Sequence, residues 1–445
     1  MDQSIYKGCS LSYAFSFLLV VVPLVLFHEL GHFIVAKLAG IRVNTFAFGF
    51  GKELFSFHFK GTDYRWNLIP LGGYVDLFGE VSVTGEIPED PRHFYNRPKW
   101  VRFLVMVMGP LFNILLAFIV FWYLQAQPKN AVKWLDDPIT VGYVEPDSAE
   151  AKAGLQPGDH ILTVNGVEYK HFEKLSYELA ISPEMVIEME IERDGKPQTI
   201  VYTMKANKKD GIGDIQFTWA SRLLVQKVIE GSPAERAGLQ AGDWLERADG
   251  QKIFFTPGTN MLFETVQARK EEGVVLVVNR SGERFEAAVV PEKNDKGDYL
   301  IGVQIGFDSE VENATFLEAG EAAWQNIVEH STFALRVLKK MVFGDLSVKA
   351  MSGPIGIGQV AKESLDRGLE PFIFLLALLS LQLGIFNLIP IPMLDGGEIF
   401  VLLIEGVTRR DFSLGTKVQI KIAGFFFLIS FVILVLISDV MKLFV

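Results

Sequence analysis

Four stretches of this 445-residue chain, at about 11–36, 101–124, 371–391 and 422–443, run almost wholly apolar. Each reaches the roughly 20 residues that an α-helix needs to cross the hydrocarbon core of a bilayer. Inside lipid a backbone must satisfy its own hydrogen bonds, so segments like these can only be helices. The chain is therefore predicted to be a polytopic α-helical membrane protein with four transmembrane helices. Apolar residues make up 49% of it, yet 21% are charged, so sizeable parts must lie outside the membrane. The formal net charge of −11 argues against a nucleic-acid partner. The single cysteine, Cys9, excludes an intrachain disulfide or a cysteine-rich metal site. The first span lacks the basic start and small-residue cleavage site of a secretory signal peptide and is expected to be retained.

Lysine and arginine set the expected orientation. Lys37, Arg42, Lys52, Lys60, Arg65, Arg92, Arg97 and Lys99 lie between spans one and two, and Arg409, Arg410 and Lys417 between spans three and four. Both loops are expected on the cytoplasmic side, which places the long segment between spans two and three outside. That segment contains a repeat: SAEAKAGLQPGDHILTVNG (148–166) recurs as SPAERAGLQAGDWLERADG (232–250), an offset of 84 positions. In each copy Ala-Gly-Leu closes a short helix with a left-handed glycine, and a strand and a hairpin-type turn follow. The pattern resembles bacterial PDZ domains, α+β modules that add an extended peptide to a sheet edge; inert spacers or size filters are the alternative. The expected organisation is 1–124, the N-terminal half of a membrane domain; 125–220 and 221–310, two PDZ domains; 311–370, an interfacial helical linker around TFALRVLKKMVFG; and 371–445, the C-terminal half. In the first loop, FAFGFGKELFSFHF and YRWNLIPLGGYVDLFG read as strands of a small sheet, with Gly72-Gly73 at a turn, dipping into the membrane.

The first span ends in HELGH. Histidines four apart share one face of a helix, so His28 and His32 can offer nitrogens to one ion while Glu29 reaches a water bound to it. Burying three ionisable groups at membrane depth without a purpose is costly. A catalytic zinc needs a third protein ligand and an open position; Asp395, in LDG after Pro390 and Pro392, is the candidate, with an N-cap of the following helix as its alternative or additional role. Asn387 can hold substrate backbone or stabilise an oxyanion, or be a helix-interior amide. Asn113 is expected to be a packing contact beside Gly109. His58, His93, His160, His171 and His330 have no ligand spacing and read as solvated or core histidines. Asp439 and Lys442 are expected to anchor the last span at the interface.

HELGH (28–32), NLIPIPMLDG (387–396), GPLFN (109–113), SGPIGIG (352–358) and FGFGK…LIPLGGYV together resemble the site-2 proteases, intramembrane zinc metalloproteases, and the tandem repeat narrows this to their sigma-E-regulating bacterial group. The resemblance covers nearly the whole chain. It implies a multi-pass protein of the bacterial inner membrane, with periplasmic PDZ domains and the active site towards the cytoplasm. It also implies Zn2+ held by His28, His32 and Asp395, with Glu29 activating water. Implied substrates are single-span membrane proteins already trimmed by another protease, an anti-sigma factor or remnant signal peptides, bound with help from Asn387 and the hairpin carrying Gly72 and Gly73. A catalytically dead scaffold, opposed by the intact HELGH and LDG, and an ion transporter, opposed by four spans with no inverted repeat, are the rival readings.

Overall fold

The computed structural model describes residues 3–79, 89–132, 139–256, 261–307 and 309–444. The chain opens with helix α1 (Gln3–Leu38), a hairpin of β1 (Val43–Phe59) and β2 (Thr62–Leu77), and helix α2 (Lys99–Gln125). Next come β3 (Lys129–Val132), β4 (Ile139–Val144), α3 (Ala149–Ala153), β5 (His160–Val164), α4 (Phe172–Ala180), β6 (Val186–Arg193), β7 (Lys196–Thr203) and β8 (Phe217–Trp219). A second series holds β9 (Leu223–Val228), α5 (Pro233–Arg236), β10 (Trp244–Ala248), β11 (Gln251–Lys252), α6 (Met261–Arg269), β12 (Val274–Arg280) and β13 (Glu283–Val289). It closes with β14 (Glu292–Lys293), β15 (Tyr299–Leu300), β16 (Val303–Gly306) and β17 (Ser309–Glu312). The chain ends in α7 (Phe316–Phe343), α8 (Pro354–Arg367), α9 (Leu369–Asn387), α10 (Asp395–Thr408) and α11 (Leu414–Lys442).

These elements form two compact units: residues 1–127, 313–343 and 348–445, and residues 128–312 with 344–347. The first is helical apart from the β1–β2 hairpin. Among its described residues four helices are long and apolar enough to cross a membrane, Ser12–Leu38, Lys99–Gln125, Leu369–Asn387 and Leu414–Lys442. The third stops at Asn387, short of the expected 391. Pro390 lacks the N–H that would continue the ladder, and Ile389 before it is steered out of helical φ/ψ. The segment around 311–370, expected as a linker, packs into this unit: Ala323 and Ile327 of α7 share a buried cluster with Ala117, Phe121, Ala377 and Leu381. His330 is buried there, its ring against Phe121 and Phe374.

Asp439 and Lys442 do more than anchor the end of α11. Asp439 is buried and accepts hydrogen bonds from the backbone N–H groups of Gly353, Ile355 and Gly356 at 2.9, 3.1 and 3.1 Å. Lys442 donates to the Met351 carbonyl at 2.8 Å. The last helix thus caps the start of α8, whose first N–H groups have no partner within their own helix. At the other end of α11, Lys417 pairs with the fully buried Glu405 of α10 at 2.8 Å. Beside it, the Lys99 ammonium bound to Asp411 holds that carboxyl below the usual carboxylate range.

The first-loop hairpin turns at Lys60 and Gly61, both at positive φ (47° and 76°), the two-residue geometry that matches strand twist. Gly72-Gly73 is therefore not its turn. Gly72, at φ 112°, and Gly49 and Gly51, at 81° and 84°, instead bend the two strands within their length. As a result residues 43–48 pair on one side with 73–77 and on the other with 63–66, while 53–59 pair with 62–67. The hairpin folds into four short strands with 73–77 at one margin. Phe50, Leu54, Phe55, Phe57, Phe59, Trp66, Leu68 and Ile69 are all exposed on it, an apolar surface unsuited to water.

The second unit contains two sheets built alike, ordered β7-β6-β5-β4-β8 and β13-β12-β10-β9-β16. Each encloses its own core, around Leu175, Ile187 and Met189 in one and Leu245, Leu276 and Val278 in the other. Ser148 and Ser232 cap the short helices of the repeat, and Gly154 and Gly238 follow them at φ 98° and 81°. The aspartate of each Gly-Asp turn, Asp159 or Asp243, is 1% exposed and grips Arg193 or Arg280 with both carboxylate oxygens.

Candidate metal centre

Antiparallel packing of α1 and α2 creates the site. Gly31 makes it possible: a Cβ there would lie 2.2 Å from the Met108 carbonyl oxygen. Gly109 completes the fit, since a Cβ on it would lie 2.2 Å from His32 Nε2. His32 donates from Nδ1 to the Val105 carbonyl at 2.8 Å, which fixes its tautomer and leaves Nε2 with its lone pair.

Asp395 arrives from the far end of the chain. After α9 ends, Met393 takes φ 81°, a costly conformation for a side chain that is not glycine, and reverses the backbone. Gly396 and Gly397 let the returning turn pack closely, for Cβ atoms on them would meet the Ile389 and Ile391 carbonyl oxygens at 2.2 and 2.4 Å. Leu394, not Asp395, is the N-cap of α10. Asp395 is its first helical residue, and its carboxylate turns away from capping and towards the histidines.

The three ligand atoms form a near-equilateral triangle. His28 Nε2 and His32 Nε2 lie 3.1 and 3.4 Å from Asp395 Oδ2, and 3.3 Å from each other. A tetrahedral zinc bound at about 2.0–2.1 Å would place its ligands about 3.3–3.4 Å apart. Asp395 Oδ2 is buried and has no hydrogen-bond partner among the described residues. His32 Nε2 and Asp395 Oδ2 present lone pairs to a point that His28 Nε2 also faces, an arrangement that a cation resolves. These residues fit a zinc ion.

Glu29 follows His28 and lies beside the margin of the hairpin sheet. The Val75 backbone hydrogen-bonds its carboxylate, and a Cβ on Gly73 would come within 3.3 Å of Glu29 Cγ and of Val25 Cγ1. Gly73 thus lets the strand approach α1. At Gly72 a Cβ would collide with the Phe50 ring at 2.7 Å. Asn387 is the last residue of α9 and half-buried.

Asn113 had read as a packing residue. It is fully buried, and its side-chain amide lies 3.4 Å from His28 Nδ1. Its spacing on α2, four residues after Gly109 and eight after Val105, was the available signal. Of the other histidines, His93 is buried, His58 pairs with Asp63 at 2.7 Å, and His160 lies 2.9 Å from Thr140 Oγ1.

The sequence model of peptidase family M50 matches residues 16–431. A protein of Haemophilus influenzae named regulator of sigma E protease is 29% identical, with 96% of this chain and 98% of that protein aligned. The regulator of sigma-E protease RseP of Salmonella typhimurium is 29% identical over 95% of each chain. A Neisseria meningitidis protein, provisionally named a zinc metalloprotease, is 31% identical over 91% of this chain and 93% of its own. A solved PDZ domain of an SdrC-like protein from Listeria monocytogenes aligns with 19% of this chain and 87% of its own, at 20% identity and a TM-score of 0.18, a likeness too slight to bear on the fold.

Proposed function

The chain belongs to peptidase family M50 and is a zinc metalloprotease; from that premise we propose that it cuts single-span membrane segments within the bilayer, at a centre made of His28, His32, Asp395 and Glu29. The observation that carries this reading is the triangle of Nε2, Nε2 and Oδ2 atoms, 3.1–3.4 Å on a side, set among helices apolar enough to span a membrane. Zinc bound to such a trio supplies an acidified water and polarises a carbonyl.

The chain's own residues do the rest. His32 is oriented by Val105, and Asp395 adds the negative charge that the imidazoles lack. Glu29 takes a proton from the attacking water and returns it to the leaving amide nitrogen. A substrate helix hides its carbonyls in its own hydrogen bonds and must unwind to be cut. The margin strand 73–77, beside Glu29, offers an edge to which the unwound segment adds as a further strand, with Gly72 and Gly73 keeping that edge close. Asn387, at the end of α9, holds substrate backbone or stabilises the oxyanion. The exposed apolar side chains of the hairpin support its immersion in lipid.

The lysine and arginine distribution supports an inner-membrane protein with the centre towards the cytoplasm and residues 128–312 in the periplasm. There the repeated sheets act as PDZ domains that exclude substrates whose exported part is still bulky. The substrates that suit this arrangement are type II segments already shortened outside: an anti-sigma factor and remnant signal peptides.

Co-expression with a single-span type II substrate trimmed on its exported side tests the reading. The unaltered chain is expected to cleave it and Glu29→Gln to leave it intact at equal membrane abundance. Equal cleavage by the two would refute the assignment. Purified protein is expected to hold about one zinc, lost in His28→Ala and in Asp395→Asn.

A further inference from the structure

We infer that Asn113 is a positioning residue for the metal centre: its side-chain oxygen accepts the Nδ1 proton of His28 and so aims Nε2 at the metal. The inference deepens the metal-centre reading and rests on it.

Two observations coincide at this amide. Its Nδ2 faces His28 Nδ1 at 3.4 Å, while its Oδ1 is buried with no hydrogen-bond partner among the described residues. In that orientation the contact sets an N–H donor against a ring nitrogen that must itself be protonated if Nε2 is to bind metal. Oxygen and nitrogen of an asparagine are interchanged by a half-turn of the amide. After that turn Oδ1 lies against Nδ1, the buried oxygen has its donor, and His28 is fixed as the Nδ1–H tautomer. One rotation removes both faults.

The neighbouring ligand shows the same plan already in place, His32 Nδ1 donating to the Val105 carbonyl at 2.8 Å. Val105, Gly109 and Asn113 succeed one another at four-residue steps, so they line one face of α2 opposite His32 and His28. The first gives an acceptor, the second gives room for a ring, and the third gives the other acceptor. Asn113 is itself held: Ser380 Oγ donates to its carbonyl at 2.8 Å, and Gly384 lies so close that a Cβ there would meet Asn113 Cβ at 3.4 Å.

Outer hydrogen bonds of this kind sustain about 10–100-fold of metal affinity. The test measures zinc affinity of the full-length protein in detergent by chelator competition. Asn113→Leu, close in size but without an acceptor, is expected to bind zinc about 10–100-fold more weakly. Asn113→Asp, whose side chain only accepts, is expected to bind as tightly as the unaltered chain or more tightly. A residue that merely packs would give the reverse order, with leucine tolerated and the buried charge harmful; that order overturns the inference. Should Asn113→Leu fail to fold, 15N-histidine spectra of the unaltered zinc-loaded protein decide, with His28 identified by its loss in His28→Gln. Metal on Nε2 with a protonated Nδ1 sustains the inference, and metal on Nδ1 overturns it. If the unaltered chain takes up no zinc, the metal-centre reading fails and this inference with it. If the unaltered chain loads and Asn113→Leu binds equally well, the inference alone fails.

Discussion

Gly109 has no side chain, and the His32 imidazole occupies the space that one would fill. Adding a single methyl group there places carbon 2.2 Å from His32 Nε2. Backbone cannot yield cheaply between two packed helices, so the ring must move. Gly109→Ala is expected to cut zinc affinity at least as far as loss of an outer hydrogen bond, about 10–100-fold, while the chain still inserts; chelator competition measures it. Unchanged affinity would show that the ring has room to spare. At this scale the sequence was legible where chemistry repeats locally. Histidines four apart declare a shared face, and Asp395 stood out as an acid beside helix-breaking prolines. The partners of Asp439 and Asn113 were not legible, because each is set by a segment some 85 residues away in the chain. Polar groups inside apolar runs announce that a partner exists without saying which.

Helices α8 and α11 meet through the Asp439 carboxylate, which receives three backbone N–H groups. Replacing it with leucine strands those donors away from water, at about 1–3 kcal/mol for each left unpaired. Asp439→Leu is expected to lower the unfolding midpoint of the helical unit in detergent, with zinc affinity of the folded protein unchanged; an unaltered midpoint would show that water replaces the cap. The repeated lobes allow a paired comparison. Arg280→Met leaves the buried Asp243 without its counter-charge and is expected to destabilise its lobe by about 3–5 kcal/mol. Arg284→Met breaks a pair whose arginine is 67% exposed, and is expected to cost about 1 kcal/mol or less. Hydrogen exchange along β12 in the full chain distinguishes them, and equal effects would contradict the burial argument. The repeat was legible as alternating strands and glycine turns, but its arginine was not, because the arginines sit 87 positions apart rather than 84. The bends in the first-loop hairpin also escaped reading: Gly72-Gly73 has the composition of a turn, and its place within the strand is set by contacts with Phe50 and α1 that composition does not show.

For the molecule as a whole, a metal held as proposed by His28, His32 and Asp395 would tie α1 to α10 across most of the chain length, so its binding energy would belong to the unit that contains both helices. At a free zinc concentration one hundred times Kd, binding stabilises that unit by about 2.7 kcal/mol. Chelation is expected to remove this from hydrogen-exchange protection in α1, α2 and α10 while leaving β5, β6, β10 and β12 unmoved. Equal loss in both units would mean that they unfold as one. The architecture was legible at this scale because hydropathy and repetition are long-range signals that need no partner to be recognised. The open margin of the hairpin sheet carries a further consequence. If the hairpin is immersed as proposed, hydrocarbon offers nothing to those outward amides of residues 73–77 that, unlike Val75, have no partner on α1, and a strand edge cannot rest unpaired in oil. On that reading, moisture follows the edge down to Glu29 between substrates. Hydrolysis uses up one water for every bond it breaks, in a place where water is scarce. On the proposed reading, the same edge that receives a substrate keeps the reactant irrigated until one arrives.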